Sequence, residues 1–69
     1  MTIGIIDAYI SPTTLKLNAL INRHGAPEPF VICEGFDPYE AEPIWDRGTY
    51  FKRFDQAYSE FQEMKANGA

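Results

Sequence analysis

The chain has one cysteine, one histidine and no glycine-rich loop, and each shortage removes a class of chemistry. Cys33 on its own cannot build an intrachain disulfide framework, so a cytosolic setting is the simpler reading. Nucleophilic catalysis by Cys33 would need a base, and His24 is the only histidine. Cys33 also lies inside the apolar run FVICEGF, where a buried, inert thiol is expected. Gly4, Gly25, Gly35, Gly48 and Gly68 are scattered and match no phosphate-binding spacing. The stretch MTIGIIDAYI has no basic n-region and is interrupted by Asp7, so it reads as neither a signal peptide nor a membrane span. The last shortage is local. From Ala26 to Asp46 there is not one Lys or Arg.

That stretch, APEPFVICEGFDPYEAEPIWD, holds six carboxylates: Glu28, Glu34, Asp37, Glu40, Glu42 and Asp46. Before it, Lys16 and Arg23 stand against Asp7; after it, Arg47, Lys52, Arg53 and Lys65 stand against Asp55, Glu60 and Glu63. The flanks are therefore slightly basic, and the formal net charge of −4 originates in the middle. Such a balance repels nucleic-acid phosphates and anionic membranes, and favours a basic protein surface as partner. With 69 residues the chain is a single domain, residues 1–69. A chain this short buries only about 60% of the surface its unfolded form exposes. An aromatic content of 14% with 45% hydrophobic residues nevertheless argues for a folded core rather than disorder.

Ile3 to Ile10 reads as a strand, with Ile3, Ile5, Asp7 and Tyr9 on one face and Ile6, Ala8 and Ile10 on the other. Apolar side chains on both faces point to a strand covered on both sides, or to an interior position in the sheet. Ser11-Pro12 has the form of a helix start, and Leu17, Leu20, Ile21 and His24 recur at helical spacing before Gly25. Thr13, Leu15, Leu17, Ala19 and Ile21 also alternate as a strand would, but both helix caps fit, and a helix is expected over residues 13–24. His24 then lies favourably at the negative end of that helix. Ala26-Pro27-Glu28-Pro29 is a linker. Phe30 to Phe36 is the clearest strand, with Phe30, Ile32, Glu34 and Phe36 on one face and Val31 and Cys33 on the other. Asp37 to Pro43 is an acidic loop, Ile44 to Asp46 starts a strand, Arg47-Gly48 bends it, and Thr49 to Phe54 continues it. Asp55 caps a last helix, Gln56 to Ala66, with Ala57, Tyr58, Phe61, Met64 and Lys65 near one face and Asn67-Gly68 closing it. The expected class is α+β in the order β-α-β-β-α: a three-stranded sheet with two helices on one face. That order resembles a ferredoxin-like fold lacking its final strand, and it leaves sheet edges open to a partner or to a second copy.

Asp37, Glu40, Glu42 and Asp46 offer hard oxygen ligands within ten residues, but the spacing is not that of an EF-hand and Pro38 and Pro43 stiffen the loop. No metal, no cofactor and no catalytic residue is assigned, and the chain is read as a binding protein rather than an enzyme. Arg47, Lys52 and Arg53 are expected to pair with neighbouring carboxylates across the sheet. Phe36, Tyr39 and Trp45 are spaced among the acids. Each aromatic taken singly is a core candidate, while the set supplies anchors of the kind that dominate binding interfaces. The expected partner-binding residues are Glu34, Asp37, Tyr39, Glu40, Glu42, Trp45 and Asp46.

In size and acidity, and in the carboxylates of EGFDPYEAEPIWD, the chain resembles the small inhibitor proteins encoded by phages and mobile elements, anti-CRISPR proteins among them. The resemblance implies an inhibitor in a bacterial cytoplasm that occupies a basic nucleic-acid channel, such as that of a CRISPR effector. Glu34, Asp37, Glu40, Glu42 and Asp46 would then act as surrogate phosphates. The competing reading is a regulatory module that works through a hydrophobic or sheet-edge contact, including a homodimer.

Overall fold

The computed structural model describes residues 3–69. Four strands, β1 (Ile3–Ile10), β2 (Leu17–Arg23), β3 (Phe30–Glu34) and β4 (Arg47–Phe51), are followed by one helix, α1 (Phe54–Ala66). The strands form a single antiparallel sheet in the order β1-β2-β3-β4, so each strand pairs with its sequence neighbours and β1 and β4 are the edges. The fold is α+β, with four strands and one helix in place of the expected three and two.

The difference lies in residues 13–24, where the expected helix is strand β2. The Ser-Pro signal is real chemistry with another outcome. Ser11 Oγ accepts from the Thr13 and Thr14 amides, both at 3.2 Å, as an N-cap would. The chain then reverses instead of winding on: Leu15 N donates to Ser11 O (2.8 Å) and Ser11 N to Lys16 O (2.9 Å). Serine serves caps and turns by the same bond, so the local signal does not distinguish them. Gly25 closes no helix either. At φ 89° it turns the chain between β2 and β3, a left-handed position suited to glycine, and His24 lies exposed in that turn rather than at a helix end. Central position decides the conformation of β2: Asn18, Ala19, Leu20 and Ile21 are all buried because both faces of the strand are covered.

Antiparallel partners share a face, so the register sorts the core into two halves. Leu20 and Ile32 lie under α1 with Ala57 and Phe61, and Tyr9, Phe30, Phe51 and Met64 complete that half. Tyr9 and Phe61 meet edge to face at 5.3 Å. Ala19, Ile21, Val31 and Cys33 form the other half on the far side of the sheet, together with Phe36 and with Ile3, Leu17 and Trp45 packed against them. The sheet thus has α1 on one side and the β3–β4 loop on the other.

β1 is an edge, not an interior strand. The register skips Ile6 between the pairs Ile5↔Ile21 and Asp7↔Leu20, a bulge that changes the phase of the strand. Ile3, Ile5, Ala8 and Ile10 therefore share the far face, and Asp7 and Tyr9 face α1. Simple alternation misassigns the residues beyond the bulge. α1 begins at Phe54, two residues ahead of expectation. Arg53 occupies the N-cap position with no side-chain cap, and Asp55 in the first turn holds Arg53 through two bonds of 2.9 and 3.0 Å. The other end is as expected: Asn67 N donates to Glu63 O, and Gly68, at φ 72°, to Lys65 O.

Candidate functional site

The acidic stretch does not hang free. β3 stops at Glu34 because Gly35 turns at φ 67°, where an added Cβ would run into the Asp46 carboxylate. The turn carries Phe36 over to the far face, away from Ile32, with which strand alternation groups it. Phe36 N donates to Leu17 O (2.8 Å), and Asp46 N returns to Glu34 O (3.0 Å). Phe36, 4% exposed, stacks on Trp45 with centroids 6.2 Å apart and planes inclined by 27°. The indole lies over Gly48, where a Cβ would stand 2.7 Å from Trp45 Nε1. Phe36 is a core residue and the half-buried Trp45 packs against the core, and together they clamp the two ends of the loop to the sheet.

Inside that clamp the backbone closes a second time. Asp37 N donates to Ile44 O (2.8 Å) and Ile44 N to Asp37 O (3.3 Å), an isolated antiparallel bridge. Asp37 Oδ1 also accepts from the Tyr39 amide at 2.9 Å, fixing an Asx turn. What the bridge presents is Tyr39, 95% exposed, followed by the exposed side chains of Glu40 and Glu42. Burial thus separates three aromatics that look alike in sequence. Phe36 lies in the core, Trp45 packs half-buried against it, and Tyr39 faces solvent.

Charge sorts the carboxylates in the same way. Asp46 pairs with Lys16 at 3.0 Å, and Glu34 faces Arg47 at 3.8 Å from its cross-strand position on the helix side of the sheet. Arg53–Asp55 and Lys65–Asp7 are the remaining ion pairs. All sixteen charged side chains lie among the described residues, and these four pairs leave Glu28, Asp37, Glu40, Glu42, Glu60 and Glu63 against Arg23 and Lys52. Three of those six unpaired acids sit in the bridged loop, so it carries the densest uncompensated negative charge. Of the expected site residues, Asp37, Tyr39, Glu40 and Glu42 come together there. Glu34 and Asp46 hold internal cations, and Trp45 anchors the loop from beneath.

Arg23 has no counterpart in the sequence reading. From the end of β2 its guanidinium lies 4.9 Å from the Tyr50 ring centroid, and Nη2 donates to Glu28 O at 3.0 Å. Its Nε is buried without a partner among the described residues. Arg23 lines a cleft of about 320 Å³ together with Ile3, Trp45 and the loop residues Ala41, Glu42 and Pro43. A cation held between strands is not visible from spacing alone.

Cys33 lies beneath Phe36 and Trp45, and burial pushes its thiol up to about 12. A thiol held protonated is no nucleophile near neutral pH. Among the described residues no three His, Cys, Asp or Glu side chains converge as a metal site would require, and no helix is long and apolar enough to cross a membrane. Comparison with protein-family models, curated proteins and solved structures returned no match. The geometry of the site carries the functional argument by itself.

Proposed function

We propose that the protein is a small binding protein whose bridged loop, residues 37–44, engages a basic surface on a partner protein. Tyr39 is the packing anchor, and Glu40, Glu42 and Asp37 supply the negative charge. The partner fits the description of a nucleic-acid-binding protein whose phosphate channel the loop occupies, as in inhibitors of the anti-CRISPR kind. Asp46 and Glu34 take a secondary part, since Lys16 and Arg47 already neutralise them. One observation carries this reading: Tyr39 is 95% exposed on a loop closed by backbone bonds, beside two carboxylates that have no cation of their own. A large aromatic is normally withdrawn from water, and Tyr is prominent among the residues that dominate binding energy. Holding the loop in one shape lowers the ordering cost of binding, and complementary charge speeds encounter.

Affinity capture from bacterial lysate at low and high salt, read by mass spectrometry, tests this. Nucleic-acid-binding proteins retained at low salt and released at high salt are the expected catch. Captured proteins that are insensitive to salt, or that lack a basic surface, count against it.

A further inference from the structure

The two edges of the sheet differ in chemistry. β4 is five residues long, begins at Arg47 and is followed directly by Lys52 and Arg53. A short edge bracketed by cations discourages another strand. β1 has eight residues and no Lys, Arg or Pro. Its carboxylate, Asp7, is held on the helix side through Oδ2, by Gln62 Nε2 at 2.8 Å and Lys65 Nζ at 3.6 Å, while Oδ1 accepts from the adjacent Ala8 amide at 2.9 Å. On the far face Ile5 and Ile10, 55% and 61% exposed, stand with the exposed Ala8, and the loop that shelters Ile21 and Ala19 does not cover them. Within the β1–β2 turn Leu15 is 78% exposed at φ 61°, a left-handed conformation that a bulky side chain rarely adopts. The strained turn directs one more apolar side chain outward at the Ile10 end of the strand. The bulge bends β1 at Ile6, but Asp7–Ile10 beyond it pair regularly with Leu20 to Leu17, and a second strand reaches their outer edge once the Ala8 amide exchanges Asp7 Oδ1 for a backbone carbonyl.

We propose that β1 is a self-association edge. Ala8–Ile10 of two copies pair antiparallel about a two-fold axis at Tyr9, so that Ile10 of each copy lies beside Ala8 of the other on the far face. A strand paired antiparallel with itself is isologous, so one neutral apolar surface satisfies both partners. The net charge of −4 makes two copies repel wherever carboxylates face one another, and the outer half of β1 is where they do not. The bridged loop, being acidic, does not suit a second copy. Dimerisation through β1 leaves that loop free, and is independent of the binding function proposed for it.

Sedimentation equilibrium from about 10 µM to about 1 mM spans the range in which so small an interface associates. The average mass should rise from that of one 7.9 kDa chain towards twice that value, and at lower concentration when salt screens the repulsion. Ile10→Lys, at an exposed site, should keep the circular-dichroism spectrum and move association at least tenfold higher in concentration. The register has its own test: a mixture of Ala8→Cys and Ile10→Cys proteins should form a disulfide-linked mixed dimer faster than either variant alone. Monomer at every concentration overturns the proposal, and so does a dimer indifferent to Ile10→Lys. Equal cross-linking of mixture and single variants overturns the register.

Discussion

Trp45→Ala removes the outer half of the clamp that holds the β3–β4 loop on the sheet. Truncating a fully buried Trp or Phe costs about 3–5 kcal/mol. Trp45 is half-buried, stacked on Phe36 and packed on the cluster that includes Cys33, so about 2 kcal/mol is expected of it. A domain of this length has about 3–10 kcal/mol in all, so the loss is a large share of it. If the loop lifts as a unit, the open population rises about 30-fold, since 1.4 kcal/mol is tenfold. Cys33 reads that opening directly, because a thiol buried beneath the loop and held protonated reacts only when uncovered. Labelling by an aromatic disulfide reagent at about pH 8 should therefore accelerate about 30-fold. The urea midpoint should fall by about 1–2 M, given a slope of about 1–2 kcal/mol per M. Tyr39→Ala is the control and should change neither quantity, because Tyr39 packs on nothing. Unchanged labelling and midpoint in Trp45→Ala would refute the claim that the loop covers this face.

Three further outcomes follow from the same geometry. Gly48→Ala sets a methyl group 2.7 Å from the Trp45 indole nitrogen, so the only tryptophan should shift its emission to the red and stability should fall by about 1–3 kcal/mol. The Gln62 amide does most to hold the Asp7 carboxyl below its ordinary value; burial, next in size, opposes it, and the Ala8 amide and Lys65 add smaller effects in the lowering direction. A lowered folded pKa stabilises above the unfolded value near 4 and is lost as pH falls through the folded one, so Asp7→Asn should flatten the acid limb of melting temperature against pH. Cys33 has the opposite sign: the fold keeps its proton up to about 12, so stability present below the ordinary thiol value of 9.0 is lost as pH rises between the two. Cys33→Ala should lack that part of the alkaline decline.

Some of this architecture is legible in the residues, and the illegible parts share a cause. FVICE reads as a strand because β-branched and aromatic residues have no competing template there, and residues 56–66 read as a helix because Ala57, Phe61 and Met64 recur at its period. Residues 13–24 do not, since Ser11 makes the same bonds in a turn as in a cap, and their apolar residues fit a helical period as well as a strand's alternation. The face of Phe36 depends on the positive φ of Gly35, and the faces of Ala8 and Ile10 on a bulge at Ile6. Neither is a property of the pattern. At the site, composition marks the acidic stretch, but only folding divides its acids into those with internal cations and those without. The separation of Tyr39 from Phe36 and Trp45 is likewise tertiary, because it rests on which side chains the loop turns inward.

The proposed function depends on where the negative charge stands, not on how much of it there is. Surface plasmon resonance against the captured partner can separate the two with a pair of double variants that change net charge equally. Glu40→Gln with Glu42→Gln removes two unpaired acids from the loop; Glu60→Gln with Glu63→Gln removes two from α1. The loop pair should weaken binding about tenfold, or about 1.4 kcal/mol, chiefly through the association rate, while the helix pair should change it by less than about twofold. Equal losses from the two pairs would mean that only overall charge matters, and no loss from the loop pair would contradict the account outright.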